Sequence, residues 1–283
     1  MLSFAVSISI LGLVQAALVA LPAPRQRPVW ISRLASPWWA LIPALSIAIV
    51  IGAIEISPRS ADALTYIALV AVPPLAAFAL AALTRVRLSP PYTWVETDSG
   101  VDWSWLAPVS AATAFFALAW ASPHSLVGEV SATALSGLAC IALGWLLVCG
   151  VPAKWLRLGV YAMAVIDAVY VTGDLLQGPN AVLNAAAPAA DLPRLQAVHF
   201  GSALMGFGDL FVAALVGCLL ARSRPRQLEG ALLVAVLALA FDLLFFAVDQ
   251  LPATVPVAVA LAIVTRREQG GLWRRDQAAS GPG

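Results

Sequence analysis

The sequence predicts an all-α polytopic membrane protein with nine transmembrane helices. Hydrophobic residues make up 61% of the 283 residues and charged residues 11%, with a mean hydropathy of +0.89. Such a composition is typical of a chain surrounded mostly by lipid. Apolar runs of bilayer length alternate with short charged or proline-rich breaks, and basic residues gather in every second break. No polar stretch is long enough for a typical soluble domain, so we expect the function to lie within the helix bundle.

The predicted spans follow one another with short connections. They cover residues 3–21, 38–56, 63–83, 103–121, 130–151, 155–176, 197–220, 231–248 and 252–265. The first has no basic residue before its apolar run and no small-residue cleavage site, which favours a helix over a signal peptide. Trp38, Trp103 and Trp155 begin the second, fourth and sixth spans, where an amphipathic ring suits the headgroup layer. Residues 177–196, with prolines and an alanine run, predict an irregular connection between the sixth and seventh spans.

The basic residues predict the orientation of the chain. Cytoplasmic loops retain lysine and arginine, and all but two of the 16 basic residues fall in odd-numbered breaks or the tail. These residues are Arg25, Arg27, Arg33, Arg85, Arg87, Lys154, Arg157, Arg222, Arg224, Arg226, Arg266, Arg267, Arg274 and Arg275. Arg59 and Arg194 lie on the other side. With an odd number of spans, the N-terminus is predicted outside and the C-terminus in the cytoplasm.

Two aspartates, Asp167 and Asp209, lie inside apolar segments of the sixth and seventh spans. An acidic residue at mid-membrane costs about 2.5–3.5 kcal/mol on insertion scales, so its presence indicates a functional site. At a rise of about 1.5 Å per residue, both lie about 15–20 Å from the cytoplasmic boundary. Gly206 and Gly208, just before Asp209, are expected to let the two spans approach closely.

Two carboxyl groups brought together at low dielectric do not both ionise readily, so one keeps its proton. The pair then provides one base, which takes a proton from water, and one acid, which polarises a peptide carbonyl. This is the aspartic mechanism of peptide hydrolysis. It requires no metal, and we expect no metal or other cofactor.

The start of the ninth span supplies a third element, Pro252-Ala253-Thr254. Prolines at positions 252 and 256 leave backbone carbonyls unpaired and disfavour a regular helical start, so this segment is predicted to grip an unwound peptide. Thr254 lies about 18 Å from the cytoplasmic boundary, close to the level of the aspartates.

These motifs together resemble those of the GxGD intramembrane aspartyl protease family, to which presenilin and signal peptide peptidase belong. The family's sixth-helix aspartate corresponds to Asp167, although Ile166 replaces the usual tyrosine. The seventh-helix motif is Gly206-Phe207-Gly208-Asp209, and the ninth-helix Pro-Ala-Leu appears with Thr254 in place of leucine. The resemblance covers helices six to nine, whereas helices one to five agree only in number.

The resemblance implies a presenilin-like bundle in a prokaryotic plasma membrane, with residues 1–151 as scaffold, 152–268 as catalytic half and 269–283 as cytoplasmic tail. It implies cleavage of transmembrane peptides or remnant signal peptides. The implied catalytic residues are Asp167 and Asp209, and the substrate-binding or site-shaping residues are Gly206, Phe207, Gly208, Pro252, Ala253 and Thr254.

Alternatives from other classes stay open. A carboxylate-dependent proton or cation transporter is favoured by the further acids Asp174, Asp242 and Asp249, and a catalytically inactive family member fits the same motifs. Asp242 has no flanking glycines, which favours a structural hydrogen bond or a supporting role. A serine mechanism with Ser136 and His199 is disfavoured, because the serine motif lacks its first glycine and His199 lies near a span end.

Two further classes are set aside. The net charge of +1 and the lack of a basic run with interleaved aromatics disfavour nucleic acid as a partner. Two histidines on separate segments form no zinc-protease motif, and three cysteines without paired spacing are predicted to be small apolar residues.

Overall fold

The computed structural model describes residues 4–24, 49, 52–53, 57, 59–88, 105–173, 177–186, 188–189, 192–246, 248 and 250–279. These residues form helices α1 Phe4–Ala20, α2 Arg59–Leu88, α3 Leu106–Ala121, α4 Leu126–Gly150, α5 Ala153–Thr172, α6 Gln177–Ala185, α7 Phe207–Leu220, α8 Arg224–Asp242 and α9 Thr254–Ala279. Two strands, β1 Ala197–Phe200 and β2 Ala203–Gly206, precede α7. A 3-10 turn, Leu243–Phe246, extends α8.

The protein is mostly helical, as the composition predicts. Helices α1 to α5, α8 and α9 overlap the first, third to sixth, eighth and ninth predicted spans. Helix α8 begins seven residues before its predicted span, and α9 continues fourteen residues beyond its predicted span, into the predicted tail. Among the described residues, four helices are long and apolar enough to cross a membrane, namely Arg59–Thr84, Leu126–Gly150, Ala153–Thr172 and Arg224–Phe245. Helices α1, α3 and α7 are apolar but shorter. The second predicted span, 38–56, lies almost wholly outside the described residues.

The structure corrects the prediction around the seventh span. Its first half is the β1–β2 hairpin, and the helix begins only at Phe207. The preceding connection also contains a helix, α6, where irregular chain is predicted. Helix α9 begins at Thr254, two residues before Pro256, because the first turn of a helix tolerates a residue without an N–H.

The hairpin has a physical cause in its alternating pattern and its turn. Residues Val198 and Phe200 are buried while His199 between them is exposed, which is the period of a strand with one covered face. Gly201 adopts a φ of 59°, a left-handed conformation that glycine takes without strain. Its N–H donates to Glu129 Oε2 of α4 at 2.8 Å, which ties the turn to the helix bundle.

Helix α7 is the buried centre of the bundle. It contacts α1, α4, α5, α8 and α9, and most of its residues are buried. Two glycines allow these close approaches. A Cβ on Gly217 would lie 2.6 Å from the carbonyl oxygen of Leu18, and one on Gly144 would lie 3.3 Å from the Cα of Leu215. Small residues therefore set the distances from α7 to α1 and α4.

Ion pairs join α5, α8 and α9 at one end of the bundle. Glu268 of α9 accepts from Arg226 of α8 at 2.6 Å and lies 3.6 Å from Arg157 of α5. Gln227, fully buried beside them, donates to three backbone carbonyls at the end of α1 and in α7, those of Val19, Pro22 and Gly217. Basic residues of two separate predicted loops thus lie together around one acid of α9.

Candidate functional site

Asp167 lies on the fourth turn of α5, half-buried and facing the start of α9. Its Oδ2 atom accepts two hydrogen bonds from Thr254. The backbone N–H donates at 3.2 Å and the side-chain hydroxyl at 2.6 Å. Thr254 is itself buried, with 3% of its surface exposed. The motifs of the sixth and ninth predicted spans therefore meet directly.

Asp209 lies in the first turn of α7, rather than in the middle of a long helix. Its Oδ2 atom accepts the N–H of Gly206 at 3.2 Å, so the side chain caps its own helix. Helices α5 and α7 are in contact, and the charge of Asp167 acts directly on the Asp209 carboxyl. The two predicted catalytic aspartates are therefore electrostatic neighbours, although they belong to separate helices.

Gly206 and Gly208, the glycines just before Asp209, do not have the packing role that the sequence predicts. A Cβ on Gly206 would meet Asp209 Oδ2 at 3.3 Å, whereas one on Gly208 would meet nothing within 4 Å. The glycine that lets α7 pack closely is Gly217, against α1 rather than α5. The prediction that Gly206 and Gly208 allow α7 to approach α5 is therefore wrong. Gly208 instead leaves open space next to Asp209.

Phe207, Pro252 and Ala253 complete the predicted set. Phe207 packs against the core, and its carbonyl accepts from the Cys140 thiol at 3.8 Å. Pro252 is buried, and its carbonyl accepts the N–H of Val255 at 3.2 Å, which closes the turn that starts α9. These residues position the backbone around the two carboxyls.

Gln15 of α1 is a site residue that sequence reasoning missed. Its side-chain amide donates from Nε2 to the carbonyl of Ala253 at 3.2 Å, and only 2% of the residue is exposed. It therefore holds the peptide group whose N–H, that of Thr254, binds Asp167. A single amide side chain inside the otherwise apolar run from Ile10 to Val19 was the signal that pointed to it.

The other candidate residues contact different parts of the molecule. Asp242 at the end of α8 binds Ser9 of α1, and its buried Oδ2 has no hydrogen-bond partner among the described residues. Ser136 donates to the carbonyl of Leu195 at 3.3 Å, and His199 is exposed on β1. Asp174 and Asp249 lie outside the described residues.

The arrangement combines two neighbouring carboxyl groups, donors directed at one of them and open space beside the other. Such a pair is able to share a proton and to act as acid and base together. Within the described residues, no group of three or more histidine, cysteine or acidic side chains is placed to hold a metal ion. The chain was compared with models of protein families, with curated proteins and with solved structures, and none of them matches it.

Proposed function

We propose that this protein is an intramembrane aspartyl protease that hydrolyses peptide bonds in transmembrane helices or remnant signal peptides. The observation that carries the proposal is the contact between α5 and α7, which brings Asp167 and Asp209 within electrostatic reach of each other, with Thr254 bound to Asp167. The pattern of these residues resembles the GxGD intramembrane protease family. Its third motif, at the start of α9, is the one that contacts Asp167 here.

The reaction follows from one shared proton. The ionised carboxylate of the pair takes a proton from a water molecule, whose oxygen bonds to the scissile carbonyl carbon while the protonated carboxyl donates to the carbonyl oxygen. A tetrahedral diol intermediate results. The carboxyl that gained the water proton then donates it to the amide nitrogen, the C–N bond breaks, and the other carboxylate recovers its proton from the diol. Both carboxyls return to their starting states, and an acid and an amine are released.

The surroundings of the pair support a peptide as substrate. Gly208 is exposed, and no atom would meet a Cβ there within 4 Å, so the side of Asp209 is open. The segment before Thr254 is non-helical, but its Pro252 and Ala253 carbonyls already accept hydrogen bonds from Val255 and Gln15. A locally unwound helix would therefore bind at the open side of Asp209. A substrate helix would enter laterally from the bilayer and unwind beside the pair.

The proposal includes nine spans, an outer N-terminus and a cytoplasmic C-terminus in a prokaryotic plasma membrane. The ion pairs of Glu268 with Arg157 and Arg226 support this orientation, because they bring two odd-numbered breaks and the tail to the same end of the bundle. Substrates with cytoplasmic N-termini would suit such an orientation, as in signal peptide peptidase.

The test is cleavage of a fluorogenic transmembrane substrate by the purified protein in lipid. Asp167→Asn and Asp209→Asn should each reduce kcat by at least about 10²-fold, the usual contribution of a general acid or base. Asp242→Asn is the matched control, since it removes an acid of α8 bound to α1 and should leave cleavage intact. A transition-state mimic of aspartyl proteases should inhibit the wild type. Unchanged cleavage in both asparagine variants would disprove the proposal.

A carboxylate-dependent transporter is the second candidate, because Oδ2 of Asp242 on α8 is buried and has no hydrogen-bond partner in the described part of the chain. Proton flux into vesicles separates the two functions. If flux depends on Asp167, Asp209 and Asp242 while no peptide is cleaved, the transporter replaces the protease. A protein that shows neither activity would be an inactive member.

A further inference from the structure

We infer that Thr254 and Gln15 are positioning residues that make Asp167 the ionised base of the pair and leave the shared proton on Asp209. The inference rests on the proposed function for its catalytic meaning, and it assigns the roles that the aspartic mechanism leaves interchangeable. It is carried by the hydrogen bonds around the two carboxyls, which differ in number and kind.

The two carboxyls have one feature in common, which therefore does not distinguish them. Each Oδ2 accepts a backbone N–H at 3.2 Å from the start of a helix, Asp167 from Thr254 of α9 and Asp209 from Gly206 before α7. Helix N-termini stabilise negative charge to a similar extent in both cases. The backbone alone would leave the proton divided between them.

The Thr254 hydroxyl breaks this balance. It lies 2.6 Å from the same Oδ2 atom of Asp167 that accepts the backbone N–H. The backbone N–H is only able to donate, so Oδ2 of Asp167 is the acceptor of that hydrogen bond. The oxygen of an ionised carboxylate accepts two donors better than the oxygen of a protonated carboxyl group does. The hydroxyl therefore donates, and it adds a charge-assisted bond that Asp209 lacks among its described partners.

Gln15 strengthens the same connection from the opposite side of the peptide group. Its Nε2 donates to the carbonyl of Ala253, and the N–H of that same peptide unit, on Thr254, donates to Asp167. Hydrogen bonds in series polarise one another, by about 10–30% per bond. Gln15 thus makes the Thr254 N–H a better donor and fixes the start of α9 relative to α1.

The remaining titratable groups around Asp167 do not alter this assignment. Asp209 is the charged neighbour on α7, and Cys140 of α4 donates its thiol to the Phe207 carbonyl. The ion pair of Arg157 with Glu268 lies ten residues from Asp167 along α5, or about 15 Å, and fourteen residues from Thr254 along α9.

A shared proton gives the inference a measurable consequence. Removing the Thr254 hydroxyl destabilises every state in which Asp167 is ionised. If the singly ionised pair carries its charge on Asp167, the free energies of this state and of the doubly ionised state are raised by the same amount. Only the step between the doubly protonated and singly ionised pair then moves, which is the acid limb of the kcat/KM profile. If the charge lay on Asp209, only the basic limb would move.

The experiment measures kcat/KM against pH for three substitutions in α9, with the fluorogenic substrate. Thr254→Val keeps the shape but removes the hydroxyl and should move the acid limb up by about one to two pH units, with the basic limb unchanged. Thr254→Ser should restore the wild-type profile. Thr265→Val is the control, because its buried hydroxyl on the same helix has no hydrogen-bond partner among the described residues and its loss should move neither limb.

Gln15→Leu provides a second test that leaves Thr254 in place, so the inference stays testable if Thr254→Val does not fold. Its acid limb should move in the same direction by a few tenths of a pH unit. Movement of the basic limb, or a lower rate with both limbs in place, would overturn the assignment.

An infrared titration separates failure of this inference from failure of the proposed function. The carboxyl band of the pair is isolated by subtracting the spectrum of the double variant Asp167→Asn, Asp209→Asn. The lower-pH step of this band should occur at a higher pH in Thr254→Val than in the wild type, even if the protein cleaves nothing. If that step moves without cleavage, the charge assignment holds and the protease proposal fails. If cleavage requires both aspartates but the higher-pH step moves, the protease proposal holds and the assignment is wrong.

Discussion

The contact between Gly217 of α7 and the end of α1 predicts a large effect from one methyl group. A Cβ on Gly217 would lie 2.6 Å from the Leu18 carbonyl oxygen and 2.7 Å and 2.8 Å from Val19 backbone atoms. Ordinary contact begins at 3.4 Å, so α1 must move by about 0.8 Å. Because all three atoms are backbone, no side chain is able to rotate away. Gly217→Ala should therefore cost about 1–3 kcal/mol in the free energy of unfolding, despite the better helix propensity of alanine.

The assay is thermal unfolding of the purified protein, in which each kcal/mol lowers Tm by about 2–4 °C for a chain of this size. Gly150→Ala is the matched control, because a Cβ there would meet nothing within 4 Å. A second readout is the cleavage rate. Helix α1 carries Gln15, and a displaced α1 stretches its 3.2 Å bond to Ala253 at the site.

The reasoning would be refuted if Gly217→Ala unfolded at the same temperature as wild type and Gly150→Ala. Such a result would mean that α1 and α7 are further apart than these contacts require. A lower Tm with an unchanged cleavage rate would support the packing argument, but it would show that the position of α1 does not affect the site.

A further prediction concerns a residue outside the site. Gln227→Met should lower the free energy of unfolding by about 1–3 kcal/mol, because it removes the buried amide that pairs with three backbone carbonyls. A Tm equal to that of the wild type would contradict this.

Helices that contain a long apolar run were predictable from local pattern. The described helices α1 to α5, α8 and α9 lie where runs of apolar residues predict them, because a segment in lipid must satisfy its backbone internally. The hairpin before α7 was not predictable from local pattern, because its strands are also apolar. Periodicity does not separate short apolar strands from a helix when both faces of the segment are hydrophobic.

In the candidate site, too, some features were predictable from the sequence and others were not. Asp167 and Asp209 were predictable, because acids inside apolar segments are costly and therefore conspicuous. The packing role given to Gly208 was wrong, since the contact that α7 needs is made at Gly217, two and a half turns away on the opposite face of the helix. A glycine in a motif shows that a side chain is missing, but only the neighbouring helix shows what would have occupied that space.

The amino-acid sequence by itself determined the membrane character, the positions of most helices and the two aspartates within apolar segments, because composition, period and the cost of burying charge are local properties. Tertiary structure decided which groups surround those acids. Gln15 and Ala253 are 238 residues apart, and Thr254 and Asp167 are 87 apart. Contacts at such separations depend on how helices cross, which is set by the packing of many small residues and not by any one segment.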